Sequence, residues 1–131
     1  MTTVPTTDWA KLQNGSDIRG VALDGVAGEA VNLTPAVVTT LGKAFVTWLA
    51  QTLNRAIAEL TVAVGRDSRL SGPTLMAAVI AGMRSLGCRV YDFGLASTPA
   101  MFMSTVTPGF MCDGAMMMTA SHLPFNRNGL K

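Results

Sequence analysis

The chain has 131 residues, a formal net charge of +2, and a composition that is 49% apolar and 14% charged. That is enough for one domain with its own core and too apolar for a disordered chain. The few, dispersed Lys and Arg residues argue against a nucleic-acid partner.

No apolar run reaches the ~18 residues of a membrane span, and Met1-Thr2-Thr3-Val4-Pro5 lacks the charged and apolar regions of a secretion signal. A soluble protein without a membrane partner is expected, cytoplasmic, or in a plastid or other organelle if a targeting segment has been removed. Cys88 and Cys112 have no CxxC partner, and the lone His122 cannot complete a zinc set, so both thiols read as reduced core residues.

Residues 1–14 are polar, Thr-rich and aperiodic, and read as a loose arm that Trp9 pins in part. Ser16-Asp17-Ile18-Arg19-Gly20 leads into a first strand or hairpin over 21–26. Arg19 at its entry is either a solvated charge or a guanidinium fork of the kind a phosphate group wants. Thr34-Pro35 predicts a helix start, and Val37, Val38, Leu41, Ala44, Phe45, Trp48 and Leu49 give it one broad buried face to about Asn54. Leu60 to Val64 is a β-branched strand running into Gly65-Arg66-Asp67-Ser68-Arg69, a loop at a sheet edge. There Arg66 and Asp67 either pair to fix the loop or shape the floor of a site.

A second helix is predicted over Thr74–Leu86, stopped by Gly87, then a third strand over Cys88–Gly94. Ser97-Thr98-Pro99 repeats the Thr-Pro helix start for a short helix carrying Met101, Phe102 and Val106. Ala115 to Met118 is the fourth strand; the nine methionines read as core filling. Alternating strands and helices predict an α/β domain, a three-layer αβα sandwich around a mixed, mostly parallel four-stranded sheet.

The fourth strand switches abruptly to Thr119-Ala120-Ser121-His122-Leu123-Pro124, continuing through Asn126-Arg127-Asn128-Gly129 to Lys131. In open α/β sheets the carboxyl ends of the strands are where ligands bind, which singles out Ser121. A hydrolase is disfavoured: His122 is the next residue and points the other way on an extended chain, and the Gly-x-Ser-x-Gly elbow is absent. Phosphoryl transfer suits the residues better, since a phosphoserine needs nearby cations, and Arg19, Lys131 and Arg127 are the candidates.

Three stretches in order, Asp17-Ile18-Arg19-Gly20, Val64-Gly65-Arg66-Asp67-Ser68-Arg69-Leu70-Ser71-Gly72 and Thr119-Ala120-Ser121-His122-Leu123-Pro124 with Asn128-Gly129-Leu130-Lys131, carry a resemblance. The chain resembles the N-terminal domain of the α-D-phosphohexomutase superfamily, the phosphoglucomutases, phosphomannomutases and phosphoglucosamine mutases. The resemblance implies that residues 15–131 are domain I of a longer multidomain enzyme that moves phosphate between C1 and C6 of a hexose phosphate through a bisphosphorylated sugar. Ser121 would be the phosphoryl carrier, His122 would lie beside the reacting oxygens, Arg19 near the phosphoserine, and Lys131 would serve as general acid/base or charge stabiliser. Arg66, Arg127 and Asn128 would bind phosphate or substrate.

Mg²⁺ is implied too, bound through a phosphate oxygen on Ser121, with hexose 1,6-bisphosphate as activator. The family's Asp-x-Asp-x-Asp metal loop does not occur here, so the other ligands, like sugar recognition, are expected from the remaining domains of the same polypeptide. The chain alone is therefore expected to lack mutase turnover. The family usually has Asn where this chain has Leu123. That departure leaves an alternative: a non-catalytic relative that uses the loop to bind a phosphosugar or a protein. A free-standing regulatory phosphoserine domain is a third.

Overall fold

The structure, a computed structural model, describes residues 6–131. Its strands are β1 (Gln13–Asn14), β2 (Asp17–Val21), β3 (Thr61–Arg66), β4 (Arg89–Leu95), β5 (Gly114–Met118) and β6 (Arg127–Leu130); its helices are α1 (Pro35–Leu53), α2 (Gly72–Ser85) and α3 (Thr98–Ser104). They build one sheet in the order β1-β2-β6-β5-β3-β4. β3 pairs in parallel with β4 and β5, while β6 is antiparallel to both β5 and β2. The αβα domain stands as expected, but its sheet has six strands rather than four.

The first strand starts earlier than its apolar run suggests, at Asp17, and ends where that run begins. Two further strands, β1 and β6, come from stretches read as arm and loop. In the arm, Met1–Pro5 lie outside the described residues, Trp9–Leu12 forms a 3-10 turn, and Leu12 rather than the half-exposed Trp9 reaches the core.

The helices begin where local chemistry lets them. Thr34 Oγ1 accepts the Val37 N–H at 3.2 Å, Pro35 occupies the first turn, and Asn54 ends α1 in the left-handed region. The cap of α3 is Ser97, one residue before the Thr-Pro pair, with its hydroxyl accepting the Ala100 N–H. α2 starts two residues before Thr74, and its N-cap, Ser71, makes no cap bond. Its hydroxyl instead accepts the Asn128 amide at 2.8 Å.

Strand periodicity sorts the core into two layers. Val62, Val64, Met116 and Met118 pack under α1 and α2 with Val38, Val46, Leu75, Val79 and Met83. Ala63 and Met117 face α3 with Met101 and Cys112. Six of the methionines are buried, although Met103 and Met111 are exposed. Both cysteines are buried and free, and burial pushes both thiols up, Cys88 and Cys112 alike. α1 and α2 touch backbone to backbone at two glycines, Gly42 against the Val79 carbonyl and Gly82 against the Thr39 carbonyl. The α2 crossover runs from β3 to β4 on one face and the α3 crossover from β4 to β5 on the other. The loops after β3 and β5 therefore open side by side at the carboxyl edge, where the crossovers diverge.

Candidate functional site

Ser121 sits in that edge, six residues before β6 begins at Arg127. The turn is closed by the Leu123 N–H donating to the Ala120 carbonyl at 3.0 Å. Ser121 is its exposed corner, with φ of 52°. A left-handed backbone at a non-glycine residue costs ~1–2 kcal/mol and persists only where the surroundings over-determine it. Here they do: the Ser121 N–H donates to Thr119 Oγ1 at 3.0 Å, and the Ser121 carbonyl accepts from the Arg69 guanidinium at 2.9 Å. The side-chain hydroxyl makes no hydrogen bond to any described residue.

Arg69 is the residue that sequence reasoning passed over. Its terminal nitrogens donate to four carbonyls of the serine loop: Ser121 and Leu123 at 2.9 Å, Pro124 at 2.8 Å and Arg127 at 3.1 Å. Its Nε lies 3.4 Å from the Asp67 carboxylate, and the Arg69 side chain is only 11% exposed. Asp67 in turn accepts the Thr119 hydroxyl at 2.6 Å and the Arg69 backbone N–H at 3.2 Å. The signal was an arginine two residues after an aspartate in a loop at the sheet edge. Asp67 pairs with Arg69, not with Arg66.

Arg66 donates to the Asp67 carbonyl at 3.3 Å and lines a shallow cleft with Pro73, Met76 and Asp92. Asn128 is fully buried, its amide donating to Ser71 and its oxygen accepting the Gly129 N–H. Arg127 is engaged with the Glu29 carboxylate, which also accepts the Asn126 amide at 3.1 Å. These partners, Arg127 first, hold Glu29 below the usual carboxylate range against a smaller opposing effect of burial. A carboxylate held low stabilises the fold above its unfolded-state value and loses that contribution as pH falls through the folded-state one. Glu29→Gln is accordingly expected to flatten the acid limb of a stability-versus-pH curve below about pH 4.5, read by thermal melts at stepped pH.

Arg19 and Lys131 come together through a shared carboxylate. Asp17 Oδ2 lies 3.4 Å from the Arg19 guanidinium and 3.7 Å from Lys131 Nζ. Arg19 is opposite Gly129 in the β2–β6 ladder, and the Gly129 carbonyl accepts the Thr119 N–H, so Arg19, Gly129 and Thr119 form one cross-strand row. Gly129 has to be glycine for this: a Cβ there would sit 2.4 Å from the Ile18 carbonyl oxygen and 2.9 Å from the Arg19 stem. The Arg19 guanidinium reaches Asp17 on the same strand, and its Nε is buried without a partner. Lys131 pairs with Met117, two residue pairs further from the turn, and its side chain is 47% exposed. His122 is exposed beside Ser121.

A larger apolar groove of ≈340 Å³ lies under Phe45, Trp48, Met116 and Leu130, with Lys131 on its lining and Ser121 outside it. Among the described residues no helix is long and apolar enough to cross a membrane.

Residues 10–131 match the family model for phosphoglucomutase/phosphomannomutase, alpha/beta/alpha domain I. The chain is 41% identical over 107 residues to a phosphoglucomutase/phosphomannomutase of Thermococcus kodakarensis, covering 82% of this chain and 22% of that protein. It is 41% identical over 110 residues to a phosphoglucosamine/phosphogalactosamine mutase of Sulfurisphaera tokodaii, with the same coverage. A phosphoglucosamine mutase of Thermoanaerobacter sp. is 38% identical over 109 residues, or 82% of this chain and 23% of that one. The crystal structure of a phosphoglucomutase/phosphomannomutase family protein from Burkholderia thailandensis superposes with a TM-score of 0.70 at 32% identity, over 88% of this chain and 24% of that one. The chain thus spans under a quarter of the length of the relatives it matches. Fold, motif order and these matches agree: the chain belongs to the phosphoglucomutase/phosphomannomutase family, as its alpha/beta/alpha domain I.

Proposed function

We propose that Ser121 carries the phosphoryl group of a hexose-phosphate mutase, giving it to one hydroxyl of a hexose phosphate and taking it back from the other end. The observation that supports this most is an exposed serine hydroxyl on a turn whose backbone is tied on both sides by a neighbouring loop. In the forward step a sugar hydroxyl oxygen attacks phosphorus in line, the bond from phosphorus to Ser121 Oγ breaks, and the attacking hydroxyl gives up its proton to a base while Oγ regains one. The reverse step, from the other phosphate of the bisphosphorylated sugar, restores the phosphoserine and leaves phosphate moved between C1 and C6.

In this reading Arg19 offsets phosphate charge from its row across Gly129, and His122 lies beside the transferring oxygens. Lys131 is the candidate acid/base, with Asp17 holding it and Arg19 in place. Arg127, Arg66 and Asn128 were candidate phosphate ligands; with Arg127 bound to Glu29, Arg66 to the Asp67 carbonyl and Asn128 to Ser71, the reading does not depend on them. Hexose 1,6-bisphosphate would prime the serine. Mg²⁺ would bind a phosphate oxygen on Ser121. Among the described residues no group of three or more His, Cys, Asp or Glu side chains could hold it, which supports a site completed from elsewhere in the polypeptide. The remaining domains would supply metal ligands and sugar recognition, and the chain alone would have no turnover. Charged sugar phosphates do not cross membranes unaided, and the cytoplasm is the compartment we propose.

Intact mass of the full-length parent, before and after hexose 1,6-bisphosphate with Mg²⁺, tests the reading. One added phosphoryl group, mapped to Ser121, is the expected result. A parent that stays unmodified while binding phosphosugar would instead establish the non-catalytic relative. Leu123 bears on that alternative only through its side chain, because the loop is clamped through the Leu123 carbonyl.

A further inference from the structure

Asp67 and Thr119 take no part in the transfer chemistry, yet together they set the backbone of the residue that does. A threonine hydroxyl has one proton to give. Here it is committed to the Asp67 carboxylate at 2.6 Å, a short charge-assisted bond. That commitment turns a lone pair of Thr119 Oγ1 toward the Ser121 N–H, which it accepts at 3.0 Å. Asp67 is itself immobilised from three directions: its own N–H donates to the Met118 carbonyl, its Oδ1 accepts the Arg69 N–H, and its Oδ2 faces Arg69 Nε. Through Arg69 the same unit reaches the Ser121 carbonyl.

We propose that Thr119, oriented by Asp67, is a positioning residue that locks Ser121 in its left-handed turn and so aims the carrier hydroxyl for phosphoryl transfer. The inference rests on the reading of Ser121 as carrier. Without the Thr119 acceptor, nothing in the described chain holds the Ser121 N–H, and the residue relaxes toward the ordinary negative-φ regions, carrying Oγ to another side of the turn. In-line transfer is sensitive to such a change, since displacing a reacting atom by about 1 Å costs on the order of 10²-fold in rate.

The test is single-turnover phosphorylation of the full-length parent by hexose 1,6-bisphosphate with Mg²⁺, followed by intact mass, with phosphosugar binding and thermal melting measured on the same proteins. Thr119→Val keeps the shape and loses the hydroxyl; it is expected to slow uptake by about 10²-fold while phosphosugar Kd moves less than about threefold. Thr119→Ser restores the hydroxyl and is expected to recover most of the rate, which a packing role for the methyl group would not allow. Should Thr119→Val not fold, Asp67→Asn serves instead, keeping the geometry with a neutral acceptor and losing about tenfold. Wild-type uptake rates in Thr119→Val, or in Asp67→Asn where that variant stands in, overturn the proposal alone. A wild-type parent that takes up no phosphoryl group overturns the carrier reading and this inference with it.

Discussion

A Ser121→Gly chain is expected to lose all phosphoryl uptake and yet to be more stable than the wild type. The two effects have separate causes. Glycine removes the only atom to which the phosphoryl group would be bonded, so uptake falls to background and not by a factor. It also relieves the left-handed backbone at φ 52°, which costs an L-residue ~1–2 kcal/mol and glycine almost nothing. Against this stands the larger chain entropy that glycine loses on folding, ~0.5–1 kcal/mol. The balance is a gain of about 0.5–1 kcal/mol, or roughly 2–6 °C in the melting midpoint. Ser121→Ala serves as the control, because it loses uptake equally and keeps the strain. If Ser121→Gly and Ser121→Ala melted together, the turn would not be strained in solution. Phosphorylated protein in either variant would move the carrier elsewhere.

Gly82→Ala is expected to be the most damaging change of a single methyl group in the helical layer. A Cβ at Gly82 would lie 2.2 Å from the Thr39 carbonyl oxygen, a backbone atom that no rotamer change can move. The Thr39 hydroxyl, which shares its one proton between the Pro35 carbonyl of its own helix at 2.8 Å and the Ala78 carbonyl at 3.2 Å, would be pulled from the second partner as the helices part. Alanine is the better helix former by ~1 kcal/mol, but overpacking typically costs 1–3 kcal/mol and here meets rigid backbone on both sides. The net expectation is a loss of about 2–3 kcal/mol, a large share of the ~5–15 kcal/mol of a domain. Urea unfolding of the two chains measures it. Equal midpoints would mean that α1 and α2 slide apart freely. The neighbouring Ala81 is exposed and tolerates its methyl group because nothing packs there.

How much of this was legible in the sequence follows from where the signal lay. α1 announced itself because a cap, a proline and a long apolar stripe coincide between Thr34 and Leu53. The parallel strands β3 and β5 stood out as short apolar runs between turn residues. β6 did not, since Arg127-Asn128-Gly129-Leu130 has neither alternation nor β-branched residues. It is a strand through its partners: Gly129 lies against the Ile18 carbonyl, and Asn128 is buried because Ser71 satisfies its amide. That same burial makes Asn128 a poor candidate for a ligand, which a polar residue beside a serine loop at a sheet edge disguises in sequence. Ser121 stands out in the sequence because an abrupt change from apolar to polar marks a sheet edge. The residues that hold it do not, because hydrogen bonds from Arg69 to four backbone carbonyls leave no trace in the identity of the residues that accept them.

The insertion of β6 between β2 and β5 also dictates an order of assembly. Ile18 pairs with Leu130, nearly the full length of the chain away, and β1 touches the sheet only through β2. On the ribosome, β3, β4 and β5 with their crossover helices can close early, since each parallel pair is joined by a local helix. β2 must wait for the last strand. Until then β5 presents a bare edge bearing Met116, Met117 and Met118, a template for pairing with another chain. Pairing of residues 127–130 with β2 and β5 covers that edge and joins the two halves of the sheet, and such distant pairing makes the step slow.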